Sequence, residues 1–573
     1  MSIGTVTAPA FARTGVRTPV RRRNHLVLVR IALAIAAGLG IACRLWFLFH
    51  EPIDSDEALV GIAAQGIAHG HLTVFFLGSF YGGVEPYVTA VLFAIFGPSA
   101  LALKATPALL SLIGAVLTWR IALRLVNERQ IAALAGVLFW VAPLAAVWNS
   151  TVERGFRGVT MACGLAALLF ALRCLDGRYG YLDLAGIGLS LGVGWWSSPE
   201  IVYFLVPTGL LLIGAVVVSP AGHRIAVWVP RFIAGLAAIG VGALPWLWVN
   251  VPGFESLRAS SFPGGQVNAN LGYGGRLETF FHHVLPMQMN LVAPESAADL
   301  FRHPLQLAIQ FGFEAVTIVA LGLCLVKRGR GIAIAAGAVA LPFLVALQPG
   351  TWYWQDGRYG VYVAPFLVLV LAIGCDEVSA LLGRRRQRHR HRRARLSNLG
   401  SYLMCGVLVV SSLLTVISLS QNSSWFDLGD HGLLSNWRYP NAPTQHAIAR
   451  LEAGNVRTAY ADYWVAYDLD FLSNGRLAVT TVAGADTNRS QAINRTVEQS
   501  HRAAWIFVPR DQIEAGYQQF AGTTAIVGPA SMTEVTFIGK LHALGISYRI
   551  IDAGLIQAVV PSRSLTPKEL GLS

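Results

Sequence analysis

The stretch RRRNHLVLVRIALAIAAGLGIACRLWFLFHEPIDSDEALVG, residues 21–61, runs from three arginines through a long apolar segment into four carboxylates within seven positions. A bilayer core takes roughly 20 apolar residues per helix, so residues 25–48 read as a membrane span. Arg21, Arg22 and Arg23 keep its start in the cytoplasm, because positive flanks stay inside. The span is also too long for the apolar core of a signal peptide, which argues for a retained anchor. It therefore exits outward and places Asp54, Asp56 and Glu57 just beyond the outer membrane surface, in a chain where only 13% of residues are charged.

The rest of the chain follows the same pattern. Its 573 residues are 54% hydrophobic, with a mean hydropathy of +0.53, outside the range of soluble globular proteins. Further apolar stretches centre on 100–126, 131–148, 158–175, 183–197, 200–218, 225–249, 305–326, 332–348, 360–382 and 401–420, for about eleven spans by the same length rule. With that parity the basic loops NERQ (127–130), DGRYG (176–180), PAGHR (220–224), KRGR (327–330) and GRRRQRHRHRRAR (383–395) all fall inside. The formal charge of +13 therefore reports topology rather than nucleic-acid binding. Segments 49–99, 149–157, 251–304 and 349–359 face outward. The apolar run 85–97 is too short to span and reads as a helix at the outer interface.

After residue 421 the texture changes. Strand-length runs such as RLAVTTV and AAWIFV alternate with helical segments such as PTQHAIARLEAG, the pattern of a small α/β domain. The expected organisation is a cytoplasmic segment over 1–24, a transmembrane domain over 25–420 with its first outer loop at 49–99, and an extracytoplasmic α/β domain over 421–573. No phosphate-binding loop, dinucleotide fingerprint or tandem repeat occurs. The six cysteines show no CxxC spacing, which gives neither a zinc site nor a disulfide framework.

The acids after the first span have two readings. Asp and Ser are favoured helix N-caps and acids suit the positive helix end, so they could simply start a helix near Ala58. Alternatively, they meet water and a lipid headgroup together, a suitable address for chemistry on a lipid-linked substrate. The run DSDEALVGIAAQGIAHGHLTVFFLGSFYGGVEPYVTAVLFAIFGPSALALKATPALL (54–110) resembles the first outer loop and second span of the GT-C glycosyltransferases, in the branch that contains protein O-mannosyltransferases and aminoarabinose transferases. NSTVERGFRG (149–158), GWWSSPE (194–200) and DGRYGVYVAPF (356–366) follow in the family's order.

That resemblance implies transfer of one sugar from a polyprenyl-phosphate donor to a cell-envelope glycan, lipid or protein acceptor at the outer face of the plasma membrane. Membrane lipids are the surroundings, and no nucleic acid is involved. Inverting transfer needs a general base and positive charge for the departing phosphate. By the resemblance, Asp56 is the base, Glu57 orients the helix or a partner, and Asp54 is an N-cap. Glu153 matches the family's second acid and positions the acceptor or shares a metal with Asp56; a salt bridge to Arg154 or Arg157 is the alternative. The cofactor is left open, with a divalent cation between Asp56 and Glu153 as the candidate.

Lys104, Arg154, Arg157 and Arg358 are the cations expected at the phosphate, since Arg grips it bidentately and Lys acts as a point charge. Lys104 could instead snorkel to the headgroups, and Arg358 could pair with Asp356. Tyr359 accompanies Arg358, Tyr81 belongs to the YGG element, and Glu85 lines the lipid entrance or caps its helix. The lysine of the KPP element in aminoarabinose transferases is replaced here by YGG (81–83), so the sugar cannot be inherited from that subgroup. A lipid or sugar transporter, a flippase or an inactive transferase-like scaffold is the competing reading.

Overall fold

The computed structural model describes residues 20–76, 82–219, 224–250, 271–327, 329–348, 354–385, 398–426, 438, 440–482, 489–509 and 528–572. Tyr81 lies outside them, as does nearly all of the basic run 383–395. Each of the eleven apolar stretches contains a helix. The first is α1 (Val20–His50), followed by two short helices, α2 (Ser55–Ala68) and α3 (Glu85–Phe96). Next come α4 (Ala100–Leu125), α5 (Arg129–Val141), α6 (Leu144–Asn149), α7 (Arg157–Leu175) and α8 (Tyr181–Ser197). A 3₁₀ turn (Pro199–Phe204) leads into α9 (Leu205–Val218), then α10 (Arg224–Gly242) and α11 (Leu244–Asn250). The bundle closes with α12 (His303–Val326), α13 (Gly329–Val345), α14 (Val363–Arg385) and α15 (Leu399–Phe426).

Among the described residues seven spans are long and apolar enough to cross a membrane, α9 counted with its 3₁₀ turn, and α10 with α11, bent by 65°, is an eighth if taken as one broken span. The stretch expected over 131–148 is two helices because Pro143, which has no N–H to donate, sits between Val141 and Leu144. Buried residues of α4, α5, α7, α9, α13 and α14 form one continuous core. Small residues set the closest approaches: a Cβ on Gly188 of α8 would lie 2.0 Å from the carbonyl oxygen of Gly235 in α10. Arg44 of α1 is held inside by the Trp140 carbonyl at 2.7 Å and Ser111 Oγ at 3.0 Å, which satisfies an otherwise costly cation. Glu314 accepts from Gln310 on its own helix at 3.0 Å, rather than from a neighbouring helix.

The C-terminal part carries a five-stranded sheet in the order β2-β1-β3-β5-β4. Its strands are β1 (Thr458–Tyr460), β2 (Ala478–Thr480), β3 (Ala504–Phe507), β4 (Tyr548–Asp552) and β5 (Gln557–Pro561). The first three are parallel, and β5 runs antiparallel to β3 and β4. Side chains alternate between faces along a strand, so Ala504 and Ile506 pack under α16 (Asn441–Ala453) and α17 (Tyr463–Leu472). Trp505 and Phe507 face Val497 of α18 (Gln491–Glu498) and Phe537 of α19 (Glu534–Ala543). Helix α17 also has a second face: Tyr467 and Phe471 pack into Ile53, Ala58 and Leu59 at the start of α2. Gly61 permits this, since a Cβ there would lie 2.5 Å from the Phe471 ring.

The α8–α10 approach gives a direct test. Gly188→Ala should cost about 1–3 kcal/mol through overpacking. Gly240→Ala, at a helical position with nothing within 4 Å, should be neutral or stabilising because Ala is the better helix former. Thermal unfolding of the purified variants checks the pair, and equal effects would contradict the backbone contact.

Candidate active site

The site starts where the chain turns from α1 into α2. Asp54 is the N-cap of α2, its Oδ1 accepting from Glu57 N at 2.9 Å while Asp54 N donates to Glu57 Oε2 at 3.3 Å. This capping box fixes the direction in which Asp56 leaves the helix. Asp54 has a further role that capping does not require: it pairs with Arg154 at 3.0 Å and Arg438 at 3.4 Å. Burial opposes its ionisation, but the two guanidiniums hold its carboxyl below the usual range.

Beneath the cap lies a buried ionic cluster. Glu51 pairs with Lys104 at 3.3 Å and Arg438 at 3.3 Å, and accepts from Trp148 Nε1 at 2.6 Å. Lys104, in the first turns of α4, lies 3.6 Å from Glu57. Glu57 Oε1 also accepts from Glu153 N at 3.0 Å, and burial raises the Glu57 carboxyl to about 7 despite Lys104. Lys104 is thus neither snorkelling nor open to a phosphate in this arrangement, because its ammonium is shared between two carboxylates. Removing one member of such a buried pair costs about 3–5 kcal/mol.

Glu153 makes no ion pair with Arg154 or Arg157. It is fully buried, accepts from Gly155 N at 2.6 Å and lies against Glu85, whose Oε2 accepts from Val159 N at 3.2 Å. Burial, then the Glu85 charge, pushes Glu153 well above the ordinary carboxyl range, and burial pushes Glu85 to about 7. Both acids therefore hold their protons to higher pH than ordinary carboxyls, as closely spaced buried carboxyls do. Glu85 starts α3, and α2 and α4 flank it.

Asp56 is different: its side chain is 37% exposed. One oxygen lies 3.2 Å from Arg154, and the other accepts the hydroxyl of Tyr463 at the start of α17. Arg154 also feels the charges of Arg358 and Asp356, which pair with each other at 3.0 Å. Arg157 opens α7 3.8 Å from Glu200, with Tyr359 beneath its guanidinium at 5.4 Å and Tyr362 donating to Glu200 at 2.7 Å. Asp56, Glu57, Arg154 and Lys104 are thus brought into one cluster with Asp54. Arg358 borders it, and Arg157 with Tyr359 forms a second basic corner.

Among the described residues no group of three His, Cys, Asp or Glu side chains is placed to hold a metal ion. Glu153 faces Glu85 rather than Asp56, so the pair Asp56 and Glu153 does not fit a bridging cation, and no step below runs through one. Sequence reasoning missed Arg438, Tyr463, Asp468 and Glu200. Asp468, buried on α17, feels Asp54 and Glu57 across the contact, and burial raises its carboxyl strongly. The alternation of polar and aromatic residues in YWVAYDLDFL (463–472) was the available signal for a two-faced helix.

The raised carboxyls have a pH signature. Native Glu85 and Glu153 hold protons more tightly than their unfolded counterparts. Their contribution to stability is therefore complete below the ordinary value of 4.5 and fades as pH rises through about 7 and beyond. Glu153→Gln, whose amide donates to Glu85 without titrating, should flatten the unfolding temperature between about pH 5 and 8 relative to the native protein. A native slope of the opposite sign, unchanged in Glu153→Gln, would contradict the neutral pair.

No protein-family model matches the sequence, and no curated protein matches it. Among solved structures, the chain is similar to ArnT from Cupriavidus metallidurans in the apo state, with 12% identity and a TM-score of 0.58 over 94% of this chain and 98% of that one. The same protein bound to undecaprenyl phosphate gives 13% identity and a TM-score of 0.52 over the same shares. The oligosaccharyltransferase AglB from Archaeoglobus fulgidus, in complex with an inhibitory peptide and a dolichol-phosphate, gives 12% identity and a TM-score of 0.44 over 84% of this chain and 69% of that one. The likeness to ArnT covers nearly the whole chain, so this chain shares the ArnT fold, a bundle of apolar helices with a small α/β domain at its C-terminal end.

Proposed function

We propose that the protein is a membrane glycosyltransferase that moves a single sugar from a polyprenyl-phosphate donor to a cell-envelope acceptor on the outer face, with Asp56 as general base. The observation that carries this reading is the half-exposed Asp56 carboxylate, set between Arg154 and the Tyr463 hydroxyl at the rim of an otherwise buried acid cluster. The ArnT fold supports it, since one ArnT structure holds undecaprenyl phosphate.

In this mechanism the acceptor hydroxyl replaces Tyr463 on Asp56 and gives its proton to the carboxylate as its oxygen attacks the anomeric carbon. The bond from that carbon to the phosphate oxygen breaks, and the electron pair leaves with the polyprenyl phosphate. Arg154 and Arg358 on one side and Arg157 on the other meet that charge, each already oriented by a carboxylate. Lys104 acts from beneath by balancing Glu51 and Glu57. Glu57 orients the cap, and the neutral Glu153 holds the loop that presents Arg154. Glu85 belongs to that same support, and Tyr359 carries the Arg157 corner. The basic loops then face the cytoplasm, and the α/β domain lies outside.

Three measurements test the reading. Asp56→Asn should fold normally yet lose about two or more orders of magnitude in transfer from a synthetic polyprenyl-phosphate sugar, the range for loss of general-base help; an active variant would end the assignment. Asp54→Asn, which leaves Arg154 and Arg438 short of charge, should instead lower the unfolding temperature. For orientation, Lys568→Cys should react with an impermeant thiol reagent on intact cells and Arg178→Cys should not, both positions being exposed. The reverse pattern would put the acid cluster on the wrong side for this chemistry.

A further inference from the structure

At the opposite end of the bundle, the C-terminal ends of α4, α7 and α12 and the start of α13 surround a cavity of about 820 Å³. Lys104 and Arg124, on the same helix α4, mark the two ends of the bundle. They stand about 30 Å apart at 1.5 Å per residue, the thickness of a bilayer's hydrocarbon core. The cavity is lined by Arg120, Arg124, Lys327 and Arg330 against one acid, Asp176, over a floor that includes Val126.

The acids nearby do not balance this charge. Asp176 is shared between Arg124 and Arg330, and Arg330 also donates to the Arg124 carbonyl at 2.9 Å. Lys327 is held from behind by Asp376 at 2.9 Å and Glu377 at 3.2 Å. Arg120 is exposed one turn before Arg124 and makes no ion pair among the described residues. Like charges four apart on a helix repel, so the unpaired Arg120 leaves the wall a positive excess that an anion would relieve. Trp119, Leu325 and Val326 are exposed beside it, an apolar rim along which acyl chains can lie.

We propose that this cavity binds the phosphate of an anionic phospholipid headgroup, in the leaflet opposite the acid cluster. Arg120 and Arg124 hold the phosphate, and the apolar rim takes the chains. Basic pockets between membrane helices recognise headgroups by this combination of fixed cations and adjacent apolar surface. The inference rests on the cavity alone and does not depend on sugar transfer.

The test uses the full-length protein, delipidated in neutral detergent, with bound lipid read by native mass spectrometry. Three probes are compared: phosphatidylglycerol, phosphatidylcholine and inorganic phosphate. Phosphatidylglycerol should bind saturably and phosphatidylcholine should not. Arg120→Gln, at an exposed and unpaired position, should weaken phosphatidylglycerol about fivefold, the effect of one surface cation. Arg178→Gln, in the neighbouring loop but outside the cavity, should change it by less than roughly twofold. Equal losses in the two variants, or equal retention of the two lipids, would overturn the site. Inorganic phosphate displacing phosphatidylglycerol at matched concentration would overturn the lipid and leave a soluble phosphate as the occupant.

Discussion

Arg438 and Asp54 stand 384 residues apart in the chain, and their buried contact is the constraint around which the outer face is arranged. Glu51, Asp54 and Glu57 gather at the end of α1 because a capping box and a tight turn bring them there. Taken out of water, they need cations. Lys104 comes from α4, Arg154 from the loop before α7, and Arg438 from the segment leading to the C-terminal domain. Well-packed apolar residues would stabilise such a spot at least as well. The ionic solution therefore makes most sense as a way of fixing geometry: three distant parts of the chain are registered against one helix start.

That registration sorts the acids by what water can reach. Asp54 is held ionised by two guanidiniums, and Glu153 is held neutral by burial and by Glu85. Asp56 alone presents an ionisable oxygen to the outside while its neighbours are already committed. A base must meet its substrate, whereas a buried acid can only support the one that does. In the proposed mechanism it is this exposure that favours Asp56 over the buried Glu153 as the base.

Much of this was legible in the sequence, and the gaps have physical causes. The apolar stretches gave the helices because a bilayer demands long uninterrupted runs; 131–148 breaks at Pro143, and 225–249 breaks into α10 and α11. The sheet was visible as short apolar strands between helical segments. The capping role of Asp54 was visible too, since Asp three residues before Glu is a capping box, but its pairing with Arg438 was not, because no local pattern encodes a contact across 384 residues. Lys104 looked like a phosphate ligand for the same reason: a lone cation at a helix end does not reveal which carboxylates will fold against it. Arg157 and Arg358 were recognised as neighbours of a charged site, yet Glu200, which orients Arg157, sits at the end of a quoted stretch and drew no attention.

The C-terminal domain shows most clearly why site and fold cannot be read separately. Its sheet face of α17 uses Val465 and Leu469, while Tyr467 and Phe471 on the other face hold the domain to α2. Burying Phe471 contributes about 1.5–3 kcal/mol, as much as a hydrogen bond to a charged group at about 1.5–3 kcal/mol, and Tyr467 is buried on the same face beside it. The domain is therefore docked by its apolar face, and the Tyr463 hydroxyl on Asp56 is a weaker contact carried along at the edge. In the proposed mechanism an incoming hydroxyl exchanges with Tyr463 without undocking α17, so the site opens at one atom while the surrounding ionic frame stays in place.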